Sequence, residues 1–171
     1  MLPSLWVVDV SDLLILVLWC SAHVNRLANV RVPCVGFDLS YSYPYPPSSY
    51  IPPGAREPRK IPLEIMVKGD KQPMWGSTTE EDMRGYAATT LPFQSFGALG
   101  MARTEFDDDS ASSQFFWLLF DSDLTPAGKN LLDGAYACFG YTVEGADFLK
   151  DIKEGDIIVS ASVIEGKEHL Q

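Results

Sequence analysis

Histidine is nearly absent from this chain: His23 and His169 are the only two among 171 residues. Neither stands in a motif, and a Ser-His triad or a His-rich metal site has little to draw on. Cysteine is scarce as well. Cys20, Cys34 and Cys138 cannot close a disulfide framework, and no Cys-x-x-Cys spacing suggests a metal site. Cations are outnumbered, with 13 Lys and Arg against 23 Asp and Glu and a net charge of −10. A nucleic-acid partner is therefore not expected, because no surplus of positive charge exists to line a phosphate-binding face.

Long hydrophobic runs are also missing. The apolar N-terminal run Leu13–Cys20 is eight residues long, against the roughly 20 that a spanning helix needs. A membrane span is not expected, and no basic region precedes the run as a signal peptide requires. Residues 1–45 form an atypical apolar segment interrupted by Asp9 and Asp12. Three readings stand for it: a pair of buried strands, a poor signal anchor, or sequence foreign to the domain. The last two are favoured over a functional membrane span.

Proline is abundant in one place. Seven of the twelve prolines fall between Pro44 and Pro62, in YPYPPSSYIPPGAREPRKIP. Proline lacks the N–H and fixes φ, so the stretch cannot run as a central strand or a helix. We read a loop over 43–60 and assign 46–60 as a Pro-rich linker. A surface connection is favoured over a recognition ligand, because a regular PxxP repeat is weak.

Residues 61–171 have the texture of a domain. IPLEIMV (61–67) alternates in part, as a half-buried strand does. KGDKQPMWG is rich in breakers. Thr78-Thr79-Glu80-Glu81 looks like a helix N-terminus, with a capping hydroxyl and a glutamate three residues on. FGALGMAR is a short apolar run. QFFWLLF (114–120) and AYACFGYTV (135–143) are strand candidates, SDLTPAGKNLLDG (122–134) a long loop, and DIIVSASVIEG a last strand. In EGADFLKDIKEGD, Ala146, Leu149 and Ile152 recur at i, i+3 and i+6, which predicts a short helix closed by Gly155. Strands dominate and connections are loops, so the pattern argues for a mainly β fold, an antiparallel sheet or barrel rather than alternating βαβ units. Glu105-Phe106-Asp107-Asp108-Asp109 invites a calcium reading but lacks the DxDxDG spacing and the closing glutamate. It reads as a solvated acidic loop. Cys138, inside a predicted strand, reads as a buried inert thiol rather than a redox sensor.

One constellation carries chemistry. Gly100-Met101-Ala102 is followed by Ser112-Ser113-Gln114-Phe115-Phe116. Eighteen residues after Gln114 comes Leu132-Asp133-Gly134, then Tyr136 and Phe139-Gly140. This set resembles the C-terminal part of the cyclophilin peptidyl-prolyl isomerases. The longer run from Ser113 to Ala161 is similar to the plant chloroplast, thylakoid-lumen branch, and IPLEIMVKGDKQPMWGSTTEED resembles that branch's insertion ahead of the core motifs. The resemblance covers about residues 61–163. It implies a cyclophilin-like antiparallel β-barrel with a short helix toward the C-terminus, and 61–171 as a partial domain of that kind.

The resemblance also implies a reaction: cis-trans isomerisation of X–Pro bonds in proline-containing polypeptides. The amide barrier is roughly 18–20 kcal/mol and no covalent bond changes, so neither nucleophile, metal nor cofactor is called for. Preference for the twisted amide over both planar isomers lowers the barrier. By resemblance Phe116 floors the proline pocket, Leu132 and Tyr136 wall it, and Leu131 occupies the position where many members have Trp. Ala102 and Gln114 match positions that contact the substrate backbone, whereas Phe115 and Trp117 belong to the core on the other face of the strand.

Cyclophilins carry an earlier Phe-x-Arg-x-x-x-x-Phe-x-x-Gln-Gly-Gly segment, whose Arg hydrogen-bonds the prolyl nitrogen and carbonyl in the twisted state. No match to it is found: Arg26 and Arg31 precede no Phe-x-x-Gln, and Arg56, Arg59, Arg84 and Arg103 lie outside that position. No catalytic residue is therefore assigned. The chain is expected to enter the family pattern after this segment, leaving an incomplete barrel with open edges. Two functions follow: a prolyl isomerase of the thylakoid lumen, or a catalytically impaired cyclophilin-like module that holds proline-containing partners, photosynthetic membrane proteins among them.

Overall fold

The computed structural model describes residues 5–10, 13–18, 51, 53–57, 59–85, 87–112, 114–119, 131–152 and 161–165. Cys20, Cys34, His23, His169, Gly155, residues 19–50 and the loop residues 120–130 lie outside the described residues. No helix among the described residues is long and apolar enough to cross a membrane.

The chain is mainly β. Among the described residues the strands in order are β1 Leu5–Val10, β2 Leu13–Leu18, β3 Glu64–Ile65, β4 Met74–Trp75, β5 Ala98–Met101, β6 Phe115–Trp117, β7 Cys138–Glu144 and β8 Ser162–Glu165, and a 3₁₀ helix covers Ala146–Asp151. Six strands form a sheet in the order β6-β5-β7-β2-β1-β8, and β3 pairs with β4 in a second, two-stranded sheet. Every pairing is antiparallel. Among the described residues the six-stranded sheet stays open, with β6 and β8 at its edges.

Two stretches of the N-terminal segment pair as strands, in line with one of its three readings. LWVVDV and LLILVL pair in register from Leu5↔Leu18 to Val10↔Leu13. They sit inside the sheet, β2 against β7 and β1 against β8. Two runs rich in Val, Ile and Leu, separated by only two residues, suit an antiparallel pair. Residues 5–10 and 13–18 thus lie between β7 and β8 in the sheet.

Two core clusters stand out among the described residues. Leu63, Ile65 and Val67 are buried, with Met74, Ala87 and Ala137 packed against them. The intervening Glu64 and Met66 are less buried, which is the alternation expected of 61–67. Phe93, Ala98, Phe116, Leu118 and Leu132 form the other cluster. Strand β6 is shorter than 114–120, although its pairing with β5 is prolonged at both ends: Ala102 N donates to Gln114 O at 3.0 Å, and Leu118 N to Ala98 O at 2.8 Å. Ala135 and Tyr136 are not in β7. Both of their amides donate to Leu132 O, and Gly134 at φ 79° turns the chain before the strand begins.

No helix follows Thr78. The residues form one turn capped at both ends. The Glu81 carboxylate accepts from Thr78 N at 2.9 Å while Thr78 Oγ1 accepts from Glu81 N at 3.2 Å, a complete capping box. Met83 then enters the left-handed region at φ 57°. Its amide donates to Glu80 O, and the Arg84 amide to Thr79 O, which is the Schellman arrangement that ends a helix. The start signal was present in sequence, but the stop follows within one turn. Near the C-terminus, the i, i+3, i+6 stripe has the repeat of a 3₁₀ rather than an α-helix, and that is what forms. Leu149 is its buried residue.

Candidate functional site

The site is built where β5, β6 and the turn before β7 meet. Gly100 faces Phe116 across the β5–β6 ladder, flanked by Leu99↔Trp117 and Met101↔Phe115. Alternation along β6 sends Phe116 into the cluster and Phe115 and Trp117 to the other face. There Phe115 meets Trp117 at 4.9 Å and Phe139 at 6.3 Å, both edge-on. The Phe116 ring is stacked on Phe93 (centroids 5.7 Å apart, planes at 14°) and takes Tyr136 edge-on at 5.8 Å and 90°.

The expected site residues separate into three groups. Phe116 and Leu132 are buried in one cluster, with Ala102 and Tyr136 packed against it. Gln114 joins through its backbone, opposite Ala102. Leu131 does not join: its side chain is 79% exposed, while its neighbour Leu132 points inward. Phe116 is 2% exposed, so it underlies the surface and Tyr136 and Ala102 are the partly exposed parts of the cluster.

Four residues outside the expected site set hold it together. Phe93 is fully buried against Phe116. Its amide donates to Asp133 Oδ1 at 2.7 Å, and Tyr141 Oη donates to Pro92 O at 2.9 Å. Thus the Leu-Asp-Gly motif ties down the loop carrying Phe93. Burial pushes the Asp133 carboxyl above its ordinary range, partly opposed by the Phe93 N–H bond. The fourth is Arg103, directly after Ala102. Its Nε and Nη2 both donate to Ala135 O, at 3.0 and 2.9 Å. Nη1 donates to Thr104 O at 2.9 Å and Glu105 O at 3.2 Å and pairs with Asp108 Oδ1 at 2.9 Å. The guanidinium lies over the Tyr136 ring, 4.8 Å from its centroid. The sequence signal for Arg103 is its place beside Ala102; Thr104, Glu105 and Asp108 are near it in sequence, but Ala135 and Tyr136 lie more than thirty residues on.

The acidic loop is less solvated than its composition suggests. Asp108 is raised by burial first and then by its hydrogen bond with Glu81, with Arg103 opposing. Glu81 is lowered, chiefly by the Thr78 amide. Burial drives the Cys138 thiol up to about 12, as an inert core thiol requires.

Comparison with known proteins follows from this geometry. Residues 49–167 match the family model "Cyclophilin type peptidyl-prolyl cis-trans isomerase/CLD". The chain is 50% identical over 125 residues to the chloroplastic peptidyl-prolyl cis-trans isomerase CYP38 of Arabidopsis thaliana, covering 73% of this chain and 29% of that protein. It is 46% identical over 127 residues to a putative thylakoid lumen peptidyl-prolyl cis-trans isomerase of Synechocystis, covering 74% of this chain and 34% of the relative. To the chloroplastic isomerase CYP37 of Arabidopsis thaliana it is 37% identical over 119 residues, covering 68% and 25%. The chain therefore aligns with about a third or less of each relative's length.

Proposed function

The chain belongs to the cyclophilin-type peptidyl-prolyl cis-trans isomerase family, and from that membership we propose that it binds X–Pro segments of polypeptides and speeds their cis-trans isomerisation. The observation that supports this best is the convergence of Ala102, Phe116, Leu132 and Tyr136 from three separate stretches of sequence onto one apolar cluster. In this reading Phe116 supports the proline subsite from beneath, and Leu132 and Tyr136 wall it. Ala102 and Gln114 contact the substrate backbone, and exposed Leu131 meets residues flanking the proline. Twisting the prolyl amide removes its charge separation, so an apolar surround favours the twisted form over either planar isomer and lowers the barrier.

The domain in question is 61–171, joined to the N-terminal segment 1–45 through the Pro-rich linker 46–60. The proposed location is the chloroplast thylakoid lumen, supported by the names of the relatives. The proposed partners are proline-containing polypeptides, those of the photosynthetic membranes among them. A specific observation supports a second reading, a module that holds X–Pro segments without turnover. Arg103, the arginine packed on Tyr136, already donates from all three guanidinium nitrogens to protein acceptors, so it is poorly placed to donate to a twisted amide. An isomerase assay on an Ala-Pro test peptide separates the two. Acceleration over the uncatalysed rate supports the enzyme. No acceleration by a folded chain that still binds the peptide leaves the holding module, and no binding sinks both.

A further inference from the structure

We propose that Arg103 is a positioning residue for X–Pro binding: its guanidinium fixes the Tyr136 ring as the wall of the proline subsite. This inference rests on the isomerase-family reading of the site. Tyr136 follows the turn Leu132–Ala135, and nothing in that turn's own hydrogen bonds, which run from Ala135 N and Tyr136 N to Leu132 O, sets the side chain. Two groups outside the turn do. Phe116 meets the ring at right angles from within the core, and Arg103 lies over it.

Arg103 is suited to the task because it is itself immobile. Its side chain is 7% exposed, and its planar fork grips Ala135 O through two nitrogens. The peptide carbonyl that precedes Tyr136 and the ring of Tyr136 are thus held by one rigid group. The far side of that group is anchored on Asp108 Oδ1 and on the carbonyls of Thr104 and Glu105. The acidic loop 104–110 therefore acts as a backing for the site, and Ser110 Oγ closes it by accepting from Thr104 N at 2.8 Å. A lysine cannot reproduce this: it offers a point charge, with neither the two-nitrogen grip nor the flat face.

The substitutions that test this are R103K and R103M, each alone and combined with Y136A, with peptide affinity and isomerase kinetics measured on an Ala-Pro peptide. A displaced wall loosens contact with every isomer and opens the apolar surround of the twisted amide, so KM rises and kcat falls as far as that surround is opened. R103K is expected to stay folded and to bind about fivefold more weakly, in keeping with a partial loss of the cation–ring contact, since lysine keeps the charge but not the flat face. In the Y136A background the same change is expected to cost nothing further, because the residue acts through that ring. Should R103M fail to fold, R103K alone carries the measurement. Unchanged affinity in folded R103K, or an effect that adds fully to that of Y136A, overturns the inference while leaving the family reading intact. Absence of any peptide binding by the wild-type chain overturns both.

Discussion

Replacing Gly100 with Ala should damage both stability and the site. A Cβ at this position would lie 2.5 Å from Phe116 Cζ and 2.7 Å from Phe93 Cε1 and Cζ, far inside van der Waals contact. The rings have nowhere to retreat. Phe93 is 0% and Phe116 2% exposed, they are stacked on each other, and Tyr136 closes the edge of Phe116. The backbone cannot yield either, since Gly100 is paired to Phe116 on one side and Cys138 on the other. Overpacking of this kind costs about 1–3 kcal/mol. Removing glycine from a strand returns about 0.5–1 kcal/mol through the unfolded chain, so a net loss of about 1–2 kcal/mol is expected. Urea denaturation of wild type and G100A should show a lower midpoint at unchanged slope. The double variant G100A/F93L should recover part of the loss by vacating the space of the Phe93 ring tip. A G100A midpoint equal to wild type would refute the packing argument, as it would mean that the rings move away freely. G100A should also weaken Ala-Pro peptide binding, because Phe116 supports Tyr136.

Other consequences are as direct. Asp133 has a folded-state pKa above its ordinary 3.8, so the unfolded chain releases its proton first as pH rises. Stability from this group is greatest at low pH and declines as pH climbs from about that value through the raised one; D133N, which keeps an acceptor for Phe93 N, should flatten this part of a urea-midpoint profile. Met83 is 95% exposed and sits at φ 57°, a conformation costly for a side chain. M83G should stabilise by about 0.5–1 kcal/mol, read by thermal unfolding, and a loss would mean that the turn does not require the left-handed residue. Cys138, with its thiol at about 12, should resist alkylation at pH 8 in the folded protein and label only in denaturant, as peptide mass mapping would resolve.

Much of the candidate site is legible along the chain because its contacts are short-range on the sheet. Phe116 and its opposite-facing neighbours follow from strand alternation, and Gly100 falls opposite Phe116 once β5 and β6 are paired. Leu131 shows where such reasoning stops. Both leucines of Leu131-Leu132 are equally apolar, and only the turn geometry sends one inward and leaves the other exposed. The helix expected after Thr78 fails for a related reason. The capping box is local and forms, but whether a second turn follows depends on Met83 and on docking against Gly134. Thr79 N donates to Gly134 O at 3.0 Å, and a Cβ on Gly134 would fall 2.1 Å from Thr79 Oγ1.

By itself the sequence determined the family, the mainly β character, the strands around Phe116 and the apolar nature of the site. Periodicity and residue type act over a few neighbours, and they set which face of a strand is buried. Tertiary structure decided where residues 5–10 and 13–18 belong, since pairing of β2 with β7 and β1 with β8 joins stretches more than a hundred residues apart. It also decided what Arg103 does. A guanidinium gains its role from acceptors that face it, and Ala135, Asp108 and the Tyr136 ring face it only after β5, the acidic loop and the turn before β7 have packed together.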